Sequence, residues 1–361
     1  MDMTCRRLLL KLPLLSLLPV RAGAAADAFD AVRPGVVLTL PRDHGAHPGF
    51  RIEWWYVTGW LERQGAADTG FQLTFFRVRQ PAHDANPSRF APSQILLAHA
   101  AVSDASHGRL RHAQKVSRAG FGLASAAAND LDVRIDGWHL VRQAKPERLF
   151  ARVDGEDFAY ALDFTPAQPV LRQGEEGFSR KSADPVHASH YLSWPQLSVS
   201  GSLTLAGATA PVRGRAWLDH EWSSALMPAD AAGWDWLGLN LDDGGALMVF
   251  RMRAVSGGDL WAAATVRDAA GRRAIDAADI AFTVSRTWRS PRTGGRYPVE
   301  LDIRVGVRVL SIRPLMDDQE LDSRASTGAI YWEGAVTAFE HGRRAGRGYL
   351  ELTGYVAPLK L

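Results

Sequence analysis

Glu53-Trp54-Trp55-Tyr56-Val57-Thr58-Gly59-Trp60-Leu61, followed by Gly70-Phe71-Gln72-Leu73-Thr74-Phe75-Phe76-Arg77, is the stretch that decides the fold. It recurs in altered form as Trp217-Leu218-Asp219-His220-Glu221-Trp222, Gly233-Trp234-Asp235-Trp236-Leu237-Gly238-Leu239-Asn240-Leu241 and Leu247-Met248-Val249-Phe250-Arg251. β-Branched and aromatic residues in runs of five to nine, broken by Gly, Pro, Asp and Asn, read as short strands. Helical periodicity is scarce. The turn Asp242-Asp243-Gly244-Gly245 closes one such hairpin. The chain is therefore read as all-β, a sandwich or barrel.

The two halves echo each other. Gly70–Arg79 lies over Gly244–Arg253, Trp138 resembles Trp288, Tyr160–Pro166 resembles Arg308–Pro314, and Tyr191 resembles Tyr331. A division follows into residues 27–205 and 206–361. Strands that are apolar on one face and semi-polar on the other fit closed barrels holding a ligand.

Residues 1–26 read as a signal peptide. Arg6-Arg7 precede the apolar run Leu8–Leu18, and Ala24-Ala25-Ala26 offers a small-residue cleavage site. The order Cys5-Arg6-Arg7-Leu8-Leu9-Leu10-Lys11 approximates the twin-arginine export pattern. The expected product is periplasmic or secreted. The formal charge of +3 comes from this segment, so nothing basic remains to argue for nucleic acid. The only cysteine, Cys5, also lies there, which removes disulfides and thiolate chemistry from the mature chain. No other stretch is long enough for a stable membrane span.

These phrases resemble the lipocalin-like family that includes carotenoid 1,2-hydratase and the AttH-like secreted proteins, with the AttH-like branch the closer match. The matching pieces are His47-Pro48 before Glu53-Trp54-Trp55-Tyr56, Ala98-His99-Ala100, Trp217 to Trp222, Gly233 to Trp236, and Asp318-Gln319-Glu320-Leu321-Asp322. The resemblance implies two consecutive lipocalin-like antiparallel β-barrels. It also implies a hydrophobic isoprenoid or acyl ligand, no organic cofactor, and an ABC-type export system as partner. Hydratases carry an Asp-His-x-Trp element, matched by Asp219, His220 and Trp222. They also carry a Tyr and an acidic residue where this chain ends a strand Phe250-Arg251.

Side-chain alternation places His220 and Trp222 on one face of their strand, and Asp219 and Glu221 on the other. His220 is a candidate acid or base. Asp219, Glu221, Asp235 and Glu53 are candidate carboxylic acids for protonating an alkene. Trp55, Trp222, Trp234, Trp236, Asn240, His99 and Tyr191 are candidates for the ligand wall. His220 with Trp222 and one of those acids is expected to line the cavity. Each has a structural alternative. Asp219 and Glu221 could satisfy backbone N–H groups at a strand crossing, Glu53 could pair with Arg77 in a buried ion pair, and His99 could be a satisfied core side chain. Asp317 to Asp322 is acidic enough to suggest Ca²⁺. It lacks the EF-hand glycine, so pairing with Arg324 and Arg313 is preferred and no metal site is expected. Gly120-Phe121-Gly122 lacks the third glycine of a dinucleotide loop, and no Gly-x-Ser-x-Gly elbow exists.

Overall fold

The structure is a computed structural model that describes residues 29–81, 86–88 and 90–359. The proposed signal segment lies outside the described residues. Among the described residues there is no α-helix, only strands and 3₁₀ turns. The first sheet holds β1 (Ile52–Glu62), β2 (Thr69–Arg79), β3 (Gln94–Ser103), β4 (Arg111–Arg118), β5 (Ala124–Ala126), β6 (Asp132–Ile135), β7 (Trp138–Ala144), β8 (Glu147–Asp154), β9 (Phe158–Pro166), β10 (Leu171–Arg172), β11 (Phe178–Arg180), β12 (Ala188–Leu205) and β13 (Ala208–Ala225). The second holds β14 (Ala231–Leu241), β15 (Ala246–Ala254), β16 (Asp259–Asp268), β17 (Gly271–Ile275), β18 (Ile280–Arg289), β19 (Arg296–Val305), β20 (Arg308–Pro314), β21 (Glu320–Ser323), β22 (Ala329–Glu340) and β23 (Arg343–Leu352).

Both sheets are antiparallel and share one topology. The first runs β4-β3-β2-β1-β13-β12-β9-β8-β7-β6-β5; the second runs β17-β16-β15-β14-β23-β22-β20-β19-β18. Each sheet curls on itself: β3 and β4 approach β6 in the first, and β16 approaches β18 in the second. Two lipocalin-like barrels result, each around its own apolar core.

Register fixes which residues correspond. Glu53 faces Arg77 and Trp54 faces Phe76 across β1·β2; Asp235 faces Arg251 and Trp236 faces Phe250 across β14·β15. The overlay of Gly70–Arg79 on Gly244–Arg253 therefore agrees with the pairing. Two other echoes do not. Trp138 opens β7 opposite Ile135, whereas Trp288 lies near the end of β18 opposite Tyr297. Tyr191 faces Glu221, and the residue that faces the matching Glu351 is Glu333, two places beyond Tyr331. The sheet changes between Ala225 and Ala231 rather than at 205/206. The reason is that β12 and β13 form one long hairpin, and β13 also zips onto β1 along its length.

β1, β14 and the end of β13 are buried on both faces. One face fills a barrel. The other packs against the opposite barrel through a third apolar cluster that includes Tyr56, Trp60, Trp217, Trp236, Phe250 and Tyr349. Strands covered on both sides read as near-continuous apolar runs, which is why the tryptophan phrases stand out. Polar stitches cross the same contact. Trp60 Nε1 donates to the Gly348 carbonyl at 3.1 Å, and Asn240 Nδ2 donates to the Ala216 carbonyl at 3.1 Å. The Gln196 backbone N–H donates to Asn240 Oδ1 at 2.7 Å.

Close backbone approach within the second sheet requires glycine. A Cβ on Gly348 would run into the Gly238 carbonyl oxygen across β14·β23. Gly348→Ala is expected to cost about 2 kcal/mol, as forced overpacking does. A urea midpoint unchanged from the parent chain would refute this.

Candidate functional site

A cavity of about 80 Å³ lies between the barrels, walled by equivalent strands of each. Trp54, Phe76 and Glu221 contribute from the first barrel; Trp236, Phe250 and Glu351 occupy the matching places in the second. The pseudo-symmetry breaks at the next pair, where Tyr191 is matched by Glu333. A larger space of about 650 Å³ shares Ile52, Phe76 and Leu226 with the inner cavity and adds Val78, Ile95, Leu97 and Met227. The arrangement is an apolar cleft with an acidic inner end.

Four carboxyl groups meet there: Asp219, Glu221, Glu333 and Glu351. Glu333 and Glu351 are direct cross-strand partners on β22 and β23. Tyr56 Oη donates to Glu333 Oε2 at 3.0 Å, and Trp234 Nε1 donates to Glu351 Oε2 at 3.1 Å. Glu333 Oε1 is buried without a partner. Burial pushes the Glu333 carboxyl well above the usual range, and the neighbouring Glu351 charge pushes it further. Glu351 is also raised, first by burial, against the Trp234 hydrogen bond, and then by the charges of Glu221 and Asp235. Two adjacent buried carboxyls cannot both ionise readily, so the pair retains a proton near neutrality.

Asp219 is pushed up to about 7 by burial, although Ser193, Trp217 and Tyr191 all donate to it. Trp236 Nε1 in turn donates to Tyr191 Oη at 2.9 Å. Lys181 Nζ sits 2.6 Å from Glu221 Oε1, and Ser189 Oγ also donates to that carboxylate. Lys181 additionally lies 4.8 Å from the Tyr191 ring centroid and 4.7 Å from that of Phe250, a cation over two aromatic faces.

The opposite face of β1 and β13 carries a second polar cluster. Register sets Trp55 beside His220 and Glu53 beside Trp222. His220 lies between the rings of Trp55 and Trp222, each with its centroid 4.8 Å away. Its Nδ1 is 3.1 Å from the Asp43 carbonyl and its Nε2 is 2.9 Å from Glu53 Oε1. Glu53 Oε2 accepts from Arg77 Nε at 2.7 Å. Hydrogen bonds from two histidines and the Arg77 charge hold Glu53 well below the usual carboxylate range, overcoming its burial.

These positions correct the expected site. His220 and Trp222 do not line the inter-barrel cavity, because alternation turns them into the first barrel while Asp219 and Glu221 face outward to the second. Glu53 and Trp55 follow His220. Asp235 is buried in an ion-pair knot with Arg251 at 2.6 Å and Arg253 at 2.9 Å. Asn240 is a stitch between sheets, as above. His99 is satisfied by Tyr331 Oη at 2.6 Å and Ser326 Oγ at 2.8 Å, and burial pulls it down to about 3. Trp234, Trp236, Tyr191, Asp219 and Glu221 do line the cavity. The acidic stretch is consumed in ion pairs, Asp317 with Arg286, Asp318 with Arg292 and Asp322 with Arg324, while Arg313 stacks on Phe339. Glu333, Glu351 and Lys181 were not foreseen. The available signal was a glutamate amid the apolar alternation of Tyr331-Trp332-Glu333-Gly334-Ala335 and Tyr349-Leu350-Glu351-Leu352.

Fold and cleft together define a two-barrel lipocalin-like protein with an acidic, aromatic inter-barrel cavity. The AttH-like family profile matches residues 31–355, and the chain belongs to that family. It is similar over 91% of its length to the whole of the AttH-like protein of Nitrosomonas europaea, with 49% identity and a TM-score of 0.85. Kievitone hydratase from Nectria haematococca shares the fold at 13% identity and a TM-score of 0.66, covering 91% of this chain and 96% of that one. CghA does so at 12% identity and a TM-score of 0.52, covering the same shares of the two chains. No curated protein matches. Among the described residues, no helix is long and apolar enough to cross a membrane.

Proposed function

We propose that the inter-barrel cleft binds an apolar, isoprenoid- or acyl-like molecule carrying a double bond and adds water across it, or removes water in reverse. The supporting observation is the Glu333–Glu351 pair: a proton-retaining dyad, with one oxygen free, inside an aromatic cavity. In the forward direction Glu333 delivers its proton to one alkene carbon. The π bond breaks, a C–H bond forms, and the adjacent carbon becomes cationic. The faces of Trp54 and Trp236 stabilise that cation. Water then forms the C–O bond and its surplus proton returns to the dyad, so the acid is regenerated without a cofactor. Kievitone hydratase, named for a hydration, shares the fold, which is consistent with this chemistry. The chain is proposed to act after export, in the periplasm or outside the cell. A carrier handing lipid to an ABC-type export system needs a greasy cavity but not converging carboxyl groups.

Mass spectrometry of organic extracts from the protein, purified from its own periplasm, should identify the bound molecule. Incubating that molecule with fresh protein in H₂¹⁸O should then yield a product gaining one labelled water. Glu351→Gln should slow that gain by about 10²–10⁴-fold, the usual weight of general acid–base catalysis. Recovery of an apolar molecule that neither protein alters would replace the enzyme by the carrier.

A further inference from the structure

We propose that His47, Glu53 and His220 form a binding site for a divalent transition-metal ion such as Zn²⁺, distinct from the inter-barrel cleft. His47 Nδ1, His220 Nε2 and a Glu53 carboxylate oxygen all lie within 4.8 Å of one another. Glu53 Oε1 is the shared vertex, 2.7 Å from His47 Nδ1 and 2.9 Å from His220 Nε2. Two imidazole nitrogens and one carboxylate oxygen are a donor set suited to zinc.

The groups behind the donors are arranged as a metal requires. His220 Nδ1 lies 3.1 Å from the Asp43 carbonyl, which can accept its N–H in the tautomer that leaves the Nε2 lone pair for an ion. His47 Nε2 lies 3.3 Å from Asp43 Oδ1, which can accept its N–H in the tautomer that leaves the Nδ1 lone pair for an ion. In those tautomers both lone pairs point toward Glu53 Oε1, the arrangement a cation at their meeting point needs. Without an ion, ring protons and the His47 backbone N–H, 3.1 Å from Oε1 and 2.9 Å from Oε2, satisfy the carboxylate; a cation would take the place of the ring protons. Backing of each ligating imidazole by a carbonyl or carboxylate is the pattern that orients histidine ligands. Arg77 binds the other Glu53 oxygen, while Oε1 is the one that faces both imidazoles.

Access is present on one side. A cleft lined by Asp43, His47, Phe50, His190 and Trp222 reaches the cluster, and the His47 side chain is 17% exposed, whereas Glu53 and His220 are buried. An ion there would pin the segment carrying Asp43 and His47 onto β1 and β13.

The test uses the full mature chain, stripped with chelator and titrated with Zn²⁺ by calorimetry and thermal melting. One ion should bind per chain with micromolar or tighter affinity, and Tm should rise with ion concentration. His47→Ala should abolish this binding and Asp43→Asn should weaken it about 10–100-fold. His190→Ala, beside the cluster but not in it, should leave it intact. Absence of one-to-one binding by the stripped parent chain, which needs no variant, would overturn the site, as would undiminished binding by His47→Ala. Since neither readout involves turnover, failure here would leave the hydration reading untouched.

Discussion

Glu53→Ala is expected to destabilise the chain by about 3–5 kcal/mol, the cost of stripping one partner from a buried charge pair. Arg77 is 2% exposed and Glu53 fully buried, so the guanidinium left behind cannot be rehydrated without opening the end of the first barrel. Arg77 would keep its bonds to the carbonyls of His47 and Phe50 and to Gln94 Oε1, but none of these carries a full negative charge. His47 and His220 would lose an acceptor at the same time. The comparison is Asp242→Ala, which breaks an exposed pair with Arg344 and should change stability by less than about 0.5 kcal/mol. Urea unfolding measures both. A loss below about 1 kcal/mol for Glu53→Ala would mean that the network contributes little and that the segment bearing His47 is held by packing alone.

The sequence was most informative where a single strand decides the answer. Period-two alternation correctly separated His220 and Trp222 from Asp219 and Glu221, and the alternative pairing of Glu53 with Arg77 is the one the structure contains. What alternation cannot tell is which face borders a cavity when both faces are buried. A ligand-holding barrel suggested the inward face, yet the inward face here is a packed core with a polar plug, and the space lies between barrels. That arrangement follows from β1 and β14 packing against one another's barrels, a contact between distant parts of the chain. Glu333 was hidden for a different reason. Matching Tyr191 to Tyr331 by residue type slipped the repeat by two positions. A slip of two keeps the face, so the pattern gave no warning. The hydrogen-bonded register restores the match and puts a carboxyl where the first barrel has a phenol.

The same substitution for a phenol sets up the second large effect. Glu333→Gln should make the chain more stable than the parent at pH 8, by about 1–4 kcal/mol, since each pH unit between the unfolded and the raised folded value costs the parent about 1.4 kcal/mol. The sign follows from linkage. Glu333 and Glu351 are raised in the folded state, so between the ordinary carboxylate value near 4.3 and their folded values the native chain holds more protons than the unfolded one. Stability must then fall as pH rises through that window. The introduced amide cannot ionise and also removes a negative charge facing Glu351, so the variant should lose less. The buried histidines His44 and His99, each pulled down to about 3, act oppositely, since the unfolded chain protonates them below about pH 6.5. Above pH 7 they are neutral in both states and contribute no slope. The difference between variant and parent is therefore the quantity to measure, by urea unfolding at half-unit steps from pH 5 to 9. It should be near zero or slightly negative at pH 5, where the parent carboxyl is a neutral donor, and grow steadily above pH 6. Parallel curves would mean that Glu333 titrates normally. The cavity would then be wet and open, and the dyad would hold no proton to give to an alkene. A stabilised variant that has also lost hydration would show that the repulsion between these two glutamates is retained for chemistry at a cost in stability.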